Sequence, residues 1–191
     1  MALFEDISIA TSLILSFSLA RTLSNLAPIF ASGRRYWVHS AWVALLLFNH
    51  ASLFWQLWLF QAVESWTLVG FLQLLVGPIM LLIAASLLVP VGGVTDYRVY
   101  FESIRRPAYS LLIVMQLQQI PLLYFLFDVP FVNPIHLSTV VVAAAFAVGL
   151  IARKPSVDMV LVVLFSLAVG GGVFLANDHE AALELLESLR G

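Results

Sequence analysis

Two histidines and a group of side-chain amides are the residues here that could do chemistry in apolar surroundings. His39 and His50 lie three helical turns apart, so on a helix they leave one face about 16 Å apart along the axis. Imidazole titrates near neutral pH, which makes His50 a candidate proton relay or ligand group; its plainer role is a hydrogen bond to a neighbouring helix. Asn49, Ser52 and Gln56 continue the polar character of that segment. Gln116 and Gln119 share a helical face at nearly the depth of His50, and Gln73 adds an amide from another segment. His50, Asn49, Gln73, Gln116 and Gln119 can therefore meet near mid-membrane, where amides either coordinate a solute or tie helices together. Arg21 stands inside the first apolar stretch, with Ser18, Ser24 and Asn25 on roughly the same face. It either snorkels to the headgroups or points inward at a partner.

The same inventory closes off several chemistries. There is no cysteine, so disulfides, Cys-ligated zinc, iron–sulfur clusters and thiol nucleophiles are out. His39, His50, His136 and His179 fall at unequal depths, and a bis-histidine haem would need a second subunit. No two His or acidic residues stand at metal-ligand spacing within one apolar stretch, so no metal site is expected. No lysine lies inside a stretch, Gly92-Gly93 is only a turn, and no glycine-flanked serine accompanies a histidine-bearing helix; no residue is assigned as catalytic. Nine Lys and Arg against eleven Asp and Glu, without a basic block, exclude nucleic-acid binding.

The elements that must position these groups follow from composition. The chain of 191 residues is 62% apolar and 10% charged, with a mean hydropathy of +1.01. Charges that sparse cannot cover a soluble domain. Six stretches, 7–30, 37–60, 66–89, 107–127, 135–152 and 157–176, approach the roughly 20 apolar residues that cross the hydrocarbon layer. They are apolar all round, which fits helices and not the alternation of a barrel strand. The expected fold is an all-α integral membrane protein with six transmembrane helices. Eight of nine cations (Arg21, Arg34, Arg35, Arg98, Arg105, Arg106, Arg153 and Lys154) gather toward one side. That side is read as cytoplasmic, with both termini outside. Between the third and fourth stretches, 95–106 sets Tyr97, Tyr100, Phe101 and Ile104 on one face, with Arg98, Glu102 and Arg105 off it. It reads as a short interfacial helix. Residues 1–176 then form the membrane domain, and 177–191 an extracytoplasmic amphipathic tail helix that is either solvated or a handle for a protein partner. The excess of arginine over lysine points to a GC-rich bacterial genome, and the apolar stretches then make a bacterial plasma membrane the expected location.

Two stretches carry helix-disturbing residues and are hinge candidates, Gly77-Pro78 in the third and Gly170-Gly171-Gly172 in the sixth. Paired breaks of this kind mark transporters built from inverted repeats, although the two halves share no residue-level similarity. The expected function is an ion or small-solute channel or transporter, working as a homo-oligomer. Two other readings stand beside it. One is a module that holds a flat cofactor (haem or quinone) against the Trp-rich second stretch; the other is an accessory subunit of a larger complex.

Overall fold

The computed structural model describes residues 2–31, 35–63, 65–175 and 188, and every regular element among them is helical. The elements are α1 (Ala2–Ser24), α2 (Ala27–Phe30), α3 (Trp37–Gln56), α4 (Leu68–Leu88), α5 (Tyr97–Leu117), α6 (Gln119–Phe127), α7 (His136–Ala152) and α8 (Pro155–Leu175), with a 3-10 turn over Leu57–Ala62 after α3. Four stretches, Phe4–Ser24, Trp37–Ala62, Leu68–Leu88 and Tyr97–Phe127, are long and apolar enough to cross a membrane; His136–Ala152 and Pro155–Val169 are apolar but shorter. The tail helix expected at 177–191 lies outside the described residues, Ser188 excepted.

Local chemistry explains most boundaries. α1 ends where Asn25 Nδ2 donates to Arg21 O at 3.1 Å, and Pro28, which has no N–H to give, makes the next turn a separate helix. The first long helix therefore sits several residues earlier than the 7–30 stretch, and Arg21 falls in its last turn, where a cation suits the helix dipole. Thr67 caps α4 through Gly70 N at 3.0 Å, and Asp96 caps α5 through Arg98 N at 2.7 Å. Asp128 and Arg153, both left-handed, end α6 and α7.

The expected interfacial helix is corrected. Residues 97–106 are the first turns of α5, which runs on through Pro107 as one helix. Tyr97 and Phe101 are nearly fully buried against the bundle, and Arg105, expected off the packed face, is 6% exposed. The aromatic face at i, i+4 spacing finds protein to pack on, so it does not need the membrane interface. The hinge candidates Gly77-Pro78 and Gly170–Gly172 lie inside α4 and α8, which run unbroken through them.

The core at the arginine-bearing end is aromatic. Trp42 of α3 meets Tyr109 of α5, Phe146 of α7 and Phe165 of α8 at centroid distances of 6.1, 6.0 and 5.8 Å. Gly149 lets α7 close on this cluster, because a Cβ there would stand 2.5 Å from Leu161 Cδ1 and 3.0 Å from Tyr109 Cζ. Much of the outer surface is apolar (Phe17, Leu68, Ile151 and Leu167 are all exposed), as suits a lipid-facing exterior.

Candidate functional site

A cavity of about 150 Å³ opens between α3, α4 and the α5–α6 joint, toward the end of the bundle away from the arginines. Its polar walls are Asn49, Ser52, Gln56, Gln118 and Gln119; Leu53, Gly77 and Met115 are among the others. Two helix irregularities and a glycine shape it. Pro121 cannot bond back to Leu117, and the chain breaks there into α5 and α6 with Gln118 as the joint. Gln56 is the last residue of α3 before the backbone tightens into the 3-10 turn. Gly77, next to Pro78 of α4, presents no side chain to the space, and a Cβ added there would sit 3.7 Å from Leu53 Cδ2.

The hydrogen bonds fix what the walls can offer. Asn49 Nδ2 donates to Leu45 O at 2.8 Å and leaves its Oδ1 as an acceptor. Gln73 Nε2 donates to Gln118 O at 3.1 Å and to Gln118 Oε1 at 3.2 Å, which leaves the Gln118 Nε2 donors. Among the described residues Ser52, Gln56 and Gln119 make no hydrogen bond of their own. The cavity thus offers donors and acceptors without formal charge.

The residues singled out by sequence divide. Asn49, Gln56 and Gln119 meet at the cavity, and Gln73 supports it from behind through Gln118. Gln116 is not among its walls, and its place is taken by Gln118, which the break at Pro121 brings in. His50 turns away. Its Nε2 accepts from Ser18 Oγ at 2.6 Å, and its Nδ1–H donates to Leu46 O at 2.7 Å, so both ring nitrogens are engaged. The tautomer follows, because a carbonyl can only accept. His39 Nε2 donates to Leu88 O at 2.8 Å and stacks on Tyr97 at 5.3 Å. His136 Nε2 donates to Pro130 O at 3.0 Å. Arg21 and Asn25 lie at the end of α1, apart from the cavity.

A second polar group escaped the sequence reading. Asp158, one residue inside the sixth apolar stretch, is 2% exposed. It takes Arg105 Nη2 at 3.0 Å and the Tyr109 hydroxyl at 2.8 Å, while Arg105 Nη2 also donates to Lys154 O at 3.3 Å. The signal was present: a lone carboxylate inside an apolar run needs a partner. Just before α3, burial pushes the Tyr36 hydroxyl above the usual phenol range, and the Asp158 carboxylate adds to that, so Tyr36 stays protonated. Among the described residues no three His, Asp or Glu side chains gather as a metal site. Compared with family models, with curated proteins and with solved structures, the chain matches none.

Proposed function

We propose that this protein is a channel or transporter for a small, uncharged, hydrogen-bonding solute, and that the amide-lined cavity is the solute's site. The observation that carries this reading is the convergence of two helix irregularities, a glycine and five polar side chains on one space in an otherwise apolar bundle. At membrane depth irregular backbone is tolerated where it lines a cavity or is buried in protein, and transporter sites are commonly built from such interrupted helices. Amides and a hydroxyl replace the hydration of a neutral solute at little expense, whereas a dehydrated ion asks for counter-charge. The volume, about 150 Å³, is that of a cavity able to take a benzene-sized molecule, which sets the size class.

In this reading α7 and α8 complete six spans, α7 with 17 residues being at the short limit for crossing. The arginine-bearing end faces the cytoplasm of a bacterial cell, both termini face out, and the cavity lies in the outer half of the plasma membrane. The aromatic cluster and the Arg105–Asp158 pair form the closed inner side. One chain supplies all the cavity walls, so the expected homo-oligomer is an assembly of complete units. The haem form of the flat-cofactor reading loses its central histidine, because an axial ligand must keep a free ring nitrogen and His50 has none.

The test is stopped-flow light scattering on proteoliposomes holding the full chain, challenged with urea, glycerol and potassium chloride. Urea or glycerol should equilibrate faster than in protein-free liposomes, and Gln119→Leu should remove the difference. Folded protein that leaves all three at the bare-liposome rate overturns the reading.

A further inference from the structure

A second cleft, unrelated to the amide cavity, opens where the first turns of α5 meet the turn between α7 and α8. It encloses about 460 Å³ and is lined by Glu102, Ser103, Arg105, Arg106, Arg153 and Asp158, with Pro155 between. Three of its charges are already matched: Arg105 holds Asp158 at 3.0 Å, and Glu102 holds Arg98, outside the cleft, at 3.2 Å. Arg106 and Arg153 are exposed and have no acidic partner among the described residues. Buried Arg105 also keeps its Nε–H without a hydrogen-bond partner. The cleft therefore retains two uncompensated guanidinium groups, whose planar forks of donors match phosphate oxygens.

Their spacing is set in advance. Arg153 is the left-handed residue that ends α7, two positions before the proline that starts α8. Arg106 follows Arg105, whose bonds to Asp158 and to Lys154 O at 3.3 Å tie α5 to that same turn. Below Arg106 on the same face of α5 come Ser110 and then Val114 and Leu117, all exposed, so that the face turns apolar as it descends from the cleft. A phosphate over an apolar lane is the shape of a phospholipid, and basic pockets between membrane helices hold anionic headgroups.

We propose that this cleft binds the phosphate of an anionic membrane lipid, gripped by Arg106 and Arg153, with an acyl chain along the exposed face of α5. The proposal needs the helices to span a bilayer but does not rest on transport. Native mass spectrometry of the full chain in detergent tests it, with phosphatidylglycerol, phosphatidylcholine and inorganic phosphate as probes. Phosphatidylglycerol should be retained in preference to phosphatidylcholine. The Arg106→Gln/Arg153→Gln variant should lose that preference by about thirtyfold, and the double lysine variant should restore part of it. Equal retention of the two lipids, or an unchanged preference in the glutamine variant, overturns the proposal. Binding of inorganic phosphate that displaces the lipid overturns the lipid source and assigns the cleft to a soluble phosphate. The substituted arginines are exposed, and an unchanged unfolding temperature separates lost binding from lost fold.

Discussion

Asn49 and His50 are neighbours on α3, yet they end in opposite situations. His50, fully buried, spends both ring nitrogens on protein, on Ser18 and Leu46. Asn49 spends its amide nitrogen on its own helix, keeps its oxygen free to accept, and lines a cavity. The same division separates two regions of the molecule. At the arginine-bearing end the Asp158 carboxylate is held by Arg105 Nη2 and by the Tyr109 hydroxyl beside a cluster of aromatic rings. Around the cavity Ser52, Gln56 and Gln119 have nothing to bind but what enters. A polar group held in hydrocarbon is expensive, so its partner tells what it is for: protein partners hold the fold, and an open space awaits a ligand.

If that division is right, the inner network is where stability is most easily lost. Asp158→Leu leaves the Arg105 charge buried and unpaired, and should destabilise by about 3–5 kcal/mol in reversible unfolding in detergent. Replacing both partners, Arg105→Met with Asp158→Leu, should recover most of that loss. A single substitution that leaves the midpoint unchanged would mean the pair is hydrated, and the contrast with the cavity would fail. Gly149→Ala comes next. Its Cβ meets Leu161 and Tyr109 inside the same packed region, and overpacking there should cost about 1–3 kcal/mol by the same assay. Smaller again is the Ser18–His50 bond. A double-mutant cycle with Ser18→Ala and His50→Leu should return a coupling of about 0.6 kcal/mol, and no more than about 1.7.

Much of this contrast was legible in the sequence, and the rest was hidden for identifiable reasons. Hydropathy places the long helices, since every 20-residue apolar run must bond its own backbone. The amides Asn49, Gln56 and Gln119 were visible because helical spacing sets them at related depths. The direction of His50 was not, because residues 49 and 50 differ by about 100° around the helix and only packing decides which one faces a gap. Gln118 was passed over for Gln116 because a regular helix was extended through Pro121, whereas the break there changes which side chains face inward. The residues 95–106 showed their aromatic face, but a sequence cannot say whether such a face meets lipid or protein. Asp158 stands in plain view among apolar residues, but nothing in the sequence pairs it with Arg105, which the interfacial-helix reading sets off the packed face.

The smallest expected change in stability belongs to the cavity itself, and it comes with the largest expected change in function. Asn49→Leu and Gln119→Leu remove no bond to another helix and should shift stability by no more than about 0.5 kcal/mol. The direct measurement is solute permeability and unfolding midpoint on the same preparations of Gln119→Leu and His50→Leu in liposomes, with urea and glycerol as probes. The division predicts that Gln119→Leu stops permeation at unchanged stability, while His50→Leu loses some stability and keeps its permeation per folded molecule. The opposite result, permeation lost at His50 and retained at Gln119, would contradict it.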